Sequence, residues 1–512
     1  MLSLKTVEPL RQHLQPIAHL NSAASLLSWD QETYMPAGGG EARADQLATL
    51  QGLAHERLTS PETAALLARW VDMSTGLPLD GTSAEGGEDE FARALLRETW
   101  RDYTKASQLP NDFVMRLGKT CSLAQQAWVE AKRHDDFLAF LPHLTQIVSL
   151  KKEEAAYRGT AGTAYDRLLD IYEPNATEAQ LTPLFDELKR RLIPLLHRIL
   201  SSSVKPDEHL LRQQYAAERQ LTFGKMVLAA MGYDFDRGRL DVSAHPFTTS
   251  LHPTDVRVTT RVSEEDFTGS LFSCIHEGGH GLYDQGLPKA FYGTPLGEAV
   301  SLGIHESQSR LWENLVGLSL AFWEHFYPLL QKTFPDQFSG VPLKTFYGAV
   351  NLVKPSFIRV DADEVTYNLH ILLRFEIERD IMENRVQPED LPEIWRDKMK
   401  AYLGIVPATD REGVLQDVHW SLGAIGYFPT YTLGNLYSVQ FFNCAKEDVP
   451  DMPKLIAAGN FTPVKIWLNE HIHRWGRTFT ANSLVARVTG KPLSLDPFMA
   501  YLEAKYGDLY HL

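Results

Sequence analysis

"SCIHEGGHGLYDQG", residues 273–286, places two histidines four positions apart, with a glutamate directly after the first. Its reading depends on local conformation, because only an α-helix brings positions i and i+4 onto one face. A helix here should stop near "DQGLP", where Gly286 reads as a C-cap and Pro288 blocks continuation. On such a helix His276 and His280 point their imidazoles at one place in space, a geometry that suits a metal ion.

Glu277 is rotated about 100° from His276. It should therefore stand beside the ion and act on water rather than bind the metal. This is the H-E-x-x-H arrangement of zinc peptidases, in which the ion acidifies water and the glutamate takes its proton. Five residues recur by chance in a small fraction of chains of this length, so the reading needs a third ligand. Gly278 and Gly279 fill the middle of the motif, where each costs a helix roughly 1 kcal/mol relative to Ala. They make sense if something approaches the backbone there, whether a functional group or a crowded helix crossing. Cys274, on another face, reads as a buried inert thiol.

A second helical run, "LGEAVSLGIHESQSRLWENLVGL" (296–318), follows a connection of under ten residues and carries Glu298, Glu306 and Glu313. Helices joined so closely pack as antiparallel neighbours, and an acid in the middle of the second can face the histidines. Glu306 is the chosen third ligand. Asp284, one turn beyond His280, is the alternative, and otherwise reads as a supporting or surface charge. An ordinary ion pair between Glu306 and Arg310 at i+4 would explain the same glutamate without a metal.

Most of the remaining chain also carries helical spacing. Phe91, Leu95, Leu96 and Trp100 fall on one stripe of residues 91–109, and residues 181–200 repeat the pattern. No fixed-period repeat supports a solenoid. Residues 72–90 are rich in Gly, Ser, Thr and acid and read as a loop or insertion. Because helical pattern resumes on both sides, residues 1–512 read as one large, mainly α domain. The exception is "AHPFTTSLHPTDVRVTTRV" (244–262), where Val256, Val258 and Thr260 alternate with Arg257 and Thr259, predicting a small β element just before the histidine helix.

The 512 residues have 44% hydrophobic and 22% charged content, which fits a folded chain with a large core. A formal charge of -15 argues against nucleic-acid partners. Three widely spaced cysteines argue against a disulfide framework and for a reducing compartment. The start lacks the pattern of a secretory signal, and no apolar run approaches the ~18–20 residues needed to cross a bilayer. The expected location is cytoplasmic, away from the membrane.

"HEGGH" followed by "HESQSRLWEN" resembles the carboxypeptidase Taq family of metallocarboxypeptidases. "WDQETYMPAGGGEARADQLATL" (29–50), "HPF" (245–247), "DVRVT" (255–259), "IRVDAD" (358–363) and "GVLQDVHW" (413–420) are similar to that family's patterns. The resemblance runs from about Trp29 to beyond Trp420. It implies a nearly all-α, two-lobed, zincin-like fold with a deep central cleft, and zinc held by His276, His280 and Glu306. It also implies a homodimer that removes single amino acids from peptides with a free C-terminus. Cobalt is expected to substitute for zinc. A zinc endopeptidase, a dipeptidyl carboxypeptidase and a non-catalytic zinc-binding protein are the alternatives.

A free α-carboxylate calls for arginine, whose planar fork donates two hydrogen bonds. Arg359 is the first candidate, with an ion pair to Asp363 or Asp361 as its bland alternative, and Arg257 is the second. His419 and Tyr431 are candidates to donate to a developing oxyanion, with Tyr427 competing for the same role. His245 is a candidate to shape the closed end of the cleft, or else packs locally.

Overall fold

The computed structural model describes residues 2–79 and 89–512. Residues 80–88 of the 72–90 segment read as a loop lie outside the described residues. The fold is mainly α with one small sheet, as expected. The chain divides into two compact units, each assembled from separated segments. The first contains Met1–Ser107, Asp207–Val350 and Tyr437–Leu493; the second contains Gln108–Pro206, Asn351–Leu436 and Ser494–Leu512.

The amphipathic stretches form helices where their spacing predicts. Glu90–Ser107 buries Leu95 and Leu96, while Phe91 and Trp100 flank them half-buried. In the second unit, Glu178–Ser201 buries Leu181, Phe185, Leu188, Leu192, Leu195 and Ile199 along one face. Side chains of this size each contribute about 1.5–3 kcal/mol when fully buried. Thr177 starts that helix by accepting from the Gln180 N–H at 3.3 Å.

The β element is larger than its sequence signal. Three strands, β1 (Gly238–Val242), β2 (Thr248–His252) and β3 (Asp255–Thr260), pair in the order β1-β3-β2. β3 runs parallel to β1 and antiparallel to β2, with Leu240 and Thr248 both opposite Val258. Val256 and Val258 are fully buried beneath it, as their alternation predicts. β1 escaped the sequence reading because five residues, "GRLDV", give period-2 alternation too little length to register.

The histidine helix spans Phe267–Gly286 and starts from Asp266, whose carboxylate accepts from Gly269 N–H. It ends one residue later than read: Gly286 is still helical and Leu287 is the cap. Gly286 is small for another reason, since a Cβ there would lie 2.5 Å from both Asn469 Oδ1 and His473 Nδ1. The second helix differs more. It begins at Leu302 after two short 3-10 turns, so the connection is Leu287–Ser301 rather than fewer than ten residues. Ser301 caps it by accepting from Ile304 N–H at 3.1 Å. At Leu311 the helix widens into a π-helix that runs to Gly317.

Among the described residues, no helix is long and apolar enough to cross a membrane.

Candidate metal centre

The glycines inside "HEGGH" set the distance between the two helices. A Cβ on Gly279 would sit 2.7 Å from Gln308 O and Ser309 Cα, and one on Gly278 would collide with Leu228. The backbone of Leu302–Arg310 therefore lies directly against the middle of the motif, and this crossing brings Glu306 to the histidines. The sequence left a functional group and a helix crossing as equal explanations; the crossing holds, and it serves the site.

One ligand atom each from His276, His280 and Glu306 lies within 4.8 Å of the others. Glu306 Oε2 is 3.6 Å from His276 Nε2 and 3.4 Å from His280 Nε2. Donors held about 2.0–2.1 Å from a tetrahedral ion lie roughly 3.3–3.4 Å apart, so both carboxylate–imidazole spacings are close to those of ligands around one ion. Two imidazoles and a carboxylate also match the donor set of a catalytic site that keeps a position open. Asp284, the alternative ligand, is not in the cluster; its carboxylate accepts from His305 Nε2 at 3.0 Å.

Each of these side chains has its own support. Glu306 Oε1 accepts from Arg310 Nε at 2.7 Å, so the i+4 ion pair and the face toward the histidines coexist on opposite oxygens. Arg310 also reaches Glu313 at 3.2 Å. Glu313, carried on the π-helix, lies 2.7 Å from His276 Nδ1. A carboxylate can only accept, so Nδ1 carries a proton, which leaves Nε2, the nitrogen facing Glu306, as the one that could bind an ion.

The electrostatics follow from this crowding. Burial alone would lower the His276 pKa, but Glu306 and Glu313 raise it to about 9. Burial would raise that of Glu306, but Arg310 and the two histidines hold it far below the usual carboxylate range. His280 is pushed down by burial and by His305. Glu277 is 7% exposed, and Thr248 on β2 donates to its Oε2 at 2.7 Å. The predicted β element thus fixes the carboxylate beside the cluster. Cys274 is fully buried and burial pushes its thiol up to about 12, as an inert core residue requires.

The candidate substrate residues fall into two groups. Arg257 lies on β3, forms a two-pronged pair with Asp255 at 2.9 Å for each contact, and stacks 4.4 Å over Trp29. His245 is exposed just before β2. Arg359, His419 and Tyr431 gather in the second unit. Arg359 is 6% exposed, and its ion-pair partner is neither Asp363 nor Asp361. Its Nε and Nη2 donate to Asp417 Oδ1 at 3.0 and 2.9 Å, and its backbone N–H donates to Gln416. Arg374, fully buried, pairs with the other oxygen of Asp417 at 2.6 Å. His419 Nε2 lies 3.2 Å from Tyr431 OH, and the Arg359 guanidinium sits 5.0 Å over the Tyr431 ring. The Tyr427 ring packs against that of Tyr431 at 5.4 Å, tilted by 59°. Sequence reasoning missed Asp417, Arg374 and His305, none of which a local spacing rule connects to its partner.

Burial, with Arg359 and Arg374 nearby, pushes the His419 pKa down to about 4 although Asp417 opposes the shift. An unfolded histidine titrates near 6.5. The folded state holds the neutral form, so this stability is complete above pH 6.5 and drains as pH falls toward about 4. Acid unfolding followed by circular dichroism should show His419→Gln losing stability less steeply in that window, by up to about 1.4 kcal/mol per pH unit. Equal slopes for variant and wild type would contradict the assignment.

A helical fold in which two histidines and a glutamate converge beside a second, held glutamate fits the class of metallopeptidases. Residues 9–506 match the family described as carboxypeptidase Taq (M32) metallopeptidase, and the chain belongs to that family. It is 45% identical over 504 residues to thermostable carboxypeptidase 1 of Thermus thermophilus, covering 96% of each chain. It is 40% identical over 499 residues to carboxypeptidase 1 of Bacillus subtilis, covering 98% of this chain and 97% of that one. The crystal structure of the M32 carboxypeptidase from Deinococcus radiodurans R1 superposes with a TM-score of 0.93 at 39% identity, covering 99% of this chain and 100% of that one. The chain is a metallocarboxypeptidase, a peptide hydrolase that depends on a divalent metal.

Proposed function

We propose that His276, His280 and Glu306 hold zinc and that Glu277 is the general base of a carboxypeptidase releasing single C-terminal amino acids. The observation that carries this reading is the convergence of those three donors within 4.8 Å, beside a carboxylate outside the cluster. A bound ion supplies Lewis-acid chemistry, making water easier to deprotonate and the scissile carbonyl easier to attack. Glu277, anchored through Oε2 by Thr248, takes the proton of the attacking water and returns it to the leaving amine. Arg359 binds the α-carboxylate of the substrate. Tyr431, hydrogen-bonded to a neutral His419, donates to the developing oxyanion. Arg257 is the second candidate to bind the α-carboxylate, and His245 shapes the closed end of the cleft.

The whole chain acts as one metallocarboxypeptidase, a reading supported by a family match that runs through every segment of both units. A homodimer in the cytoplasm is the assembly and location we infer from the family resemblance and the unpaired cysteines.

The test is a mixed peptide pool and its C-terminally amidated twin, incubated with zinc-loaded protein and read by mass spectrometry. Loss of single residues from the free pool alone supports the reading, whereas internal fragments would make the chain an endopeptidase. Chelation by EDTA should abolish the activity, and zinc or cobalt should restore it. Arg359→Ala should raise KM for free peptides and shrink their advantage over amidated ones. An unchanged ratio moves carboxylate recognition to another residue.

A further inference from the structure

The two histidines of the metal centre are supported differently, and the difference has a chemical meaning. His276 places its Nδ1 directly on the Glu313 carboxylate at 2.7 Å. Among the described residues, His280 Nδ1 has no carboxylate partner. Its Nδ1 faces the Nδ1 of another imidazole, His305, at 2.5 Å. Of two nitrogens that close, one must carry a proton and the other a lone pair. The far side of His305 decides which: its Nε2 lies 3.0 Å from Asp284 Oδ1, an oxygen that only accepts.

We propose that Asp284 and His305 form a proton-ordered relay that fixes His280 as its Nδ1–H tautomer and keeps Nε2 free for the metal. In this relay His305 is neutral with its single proton held on Nε2 by Asp284, so His305 Nδ1 accepts and His280 Nδ1 donates. The reverse order would put a proton on His280 Nε2, in the space facing Glu306, where no ion could then be bound. Neither relay residue touches the metal; both are positioning residues.

The fold makes this arrangement rigid. Asp284 sits one turn beyond His280 on the same helix, and His305 sits beside Glu306 on the next. The relay therefore leaves the histidine helix and returns to it, so the crossing that delivers Glu306 also delivers His305. Asp284 is 7% exposed, and the Tyr283 ring packs 5.1 Å from His305, which limits rotation of its imidazole. The same geometry explains why Asp284 does not itself join the cluster: its carboxylate is committed to His305.

The proposal rests on the metal-binding reading above, and zinc affinity separates the two. Zinc-loaded wild type and variants would be titrated with a competing chelator, with unfolding midpoints of the metal-free chains measured in parallel. His305→Phe and Asp284→Ala should each raise the zinc dissociation constant about 10- to 100-fold, the usual effect of losing a partner behind a ligand. His305→Asn, whose side-chain oxygen can accept where Nδ1 does, should stay within a few-fold of wild type. Unchanged affinity in both His305→Phe and Asp284→Ala would overturn the relay, as would equal losses in His305→Phe and His305→Asn. If the wild type fails to retain one zinc per chain, or Glu306→Ala binds it as tightly, the metal-centre reading itself falls. Two independent positions keep the test open if one variant fails to fold.

Discussion

Replacing Glu277 by glutamine is expected to lower kcat about 100- to 10,000-fold while the chain keeps its metal, the range a positioned general base supplies. The substitution is nearly isosteric, and an amide oxygen can still accept from Thr248 Oγ1. What it removes is the ability to take a proton. Glu277 is not among the converging donors, so metal content should match wild type. Glu306→Gln is the contrast: it weakens the third ligand and its pairing with Arg310, so metal and turnover should fall together. Metal analysis beside steady-state kinetics separates the two outcomes. Full activity in Glu277→Gln would exclude it as the base, and loss of metal in that variant would mean the carboxylate at 277 holds the ion.

The parts of this site that a sequence reveals are those fixed by the geometry of one helix. His276, Glu277 and His280 keep their relation whatever the rest of the chain does, so their pattern is legible directly. Glu306 was within reach because a neighbouring helix had to present some acid near its middle, and the glycine pair hinted at a close crossing. The start of that helix was misplaced, although Ser301 offered an N-cap signal that would have corrected it. The π-turn that carries Glu313 has no sequence signature, and His305 acquires meaning only once Asp284 is seen across the helix crossing. Arg359 shows a second kind of limit. Local spacing favoured Asp363, but that carboxylate accepts from the backbone N–H groups of Val365 and Thr366, an ordinary use of Asp at a chain turn. The partner of Arg359 lies 58 residues away, in a motif that can be recognised in the sequence but not placed by it.

That distant partner gives the second large effect: Asp417→Asn should destabilise the chain by about 3–5 kcal/mol, the cost of breaking a buried ion pair from one side. Arg374 is fully buried and Arg359 nearly so, and Asp417 is held far below the usual carboxylate range by both, against the pull of burial. In the wild type two positive charges face one negative charge, leaving a surplus of one. Asparagine would leave both arginines uncompensated in a place water does not reach freely. The loss should appear as a lower denaturant midpoint at neutral pH, and removing the second charge as well, in Asp417→Asn with Arg374→Met, should recover part of it. No recovery would mean that Asp417 matters for packing rather than charge. The same carboxylate also orients Arg359 by taking both its Nε and Nη2 protons on one oxygen. If the surplus positive charge is what attracts the terminal carboxylate of a substrate, Asp417→Asn should impair selection between free and amidated peptides by misdirecting the fork, even though it adds net positive charge. A gain in that selection would show that charge alone, without orientation, recognises the peptide end.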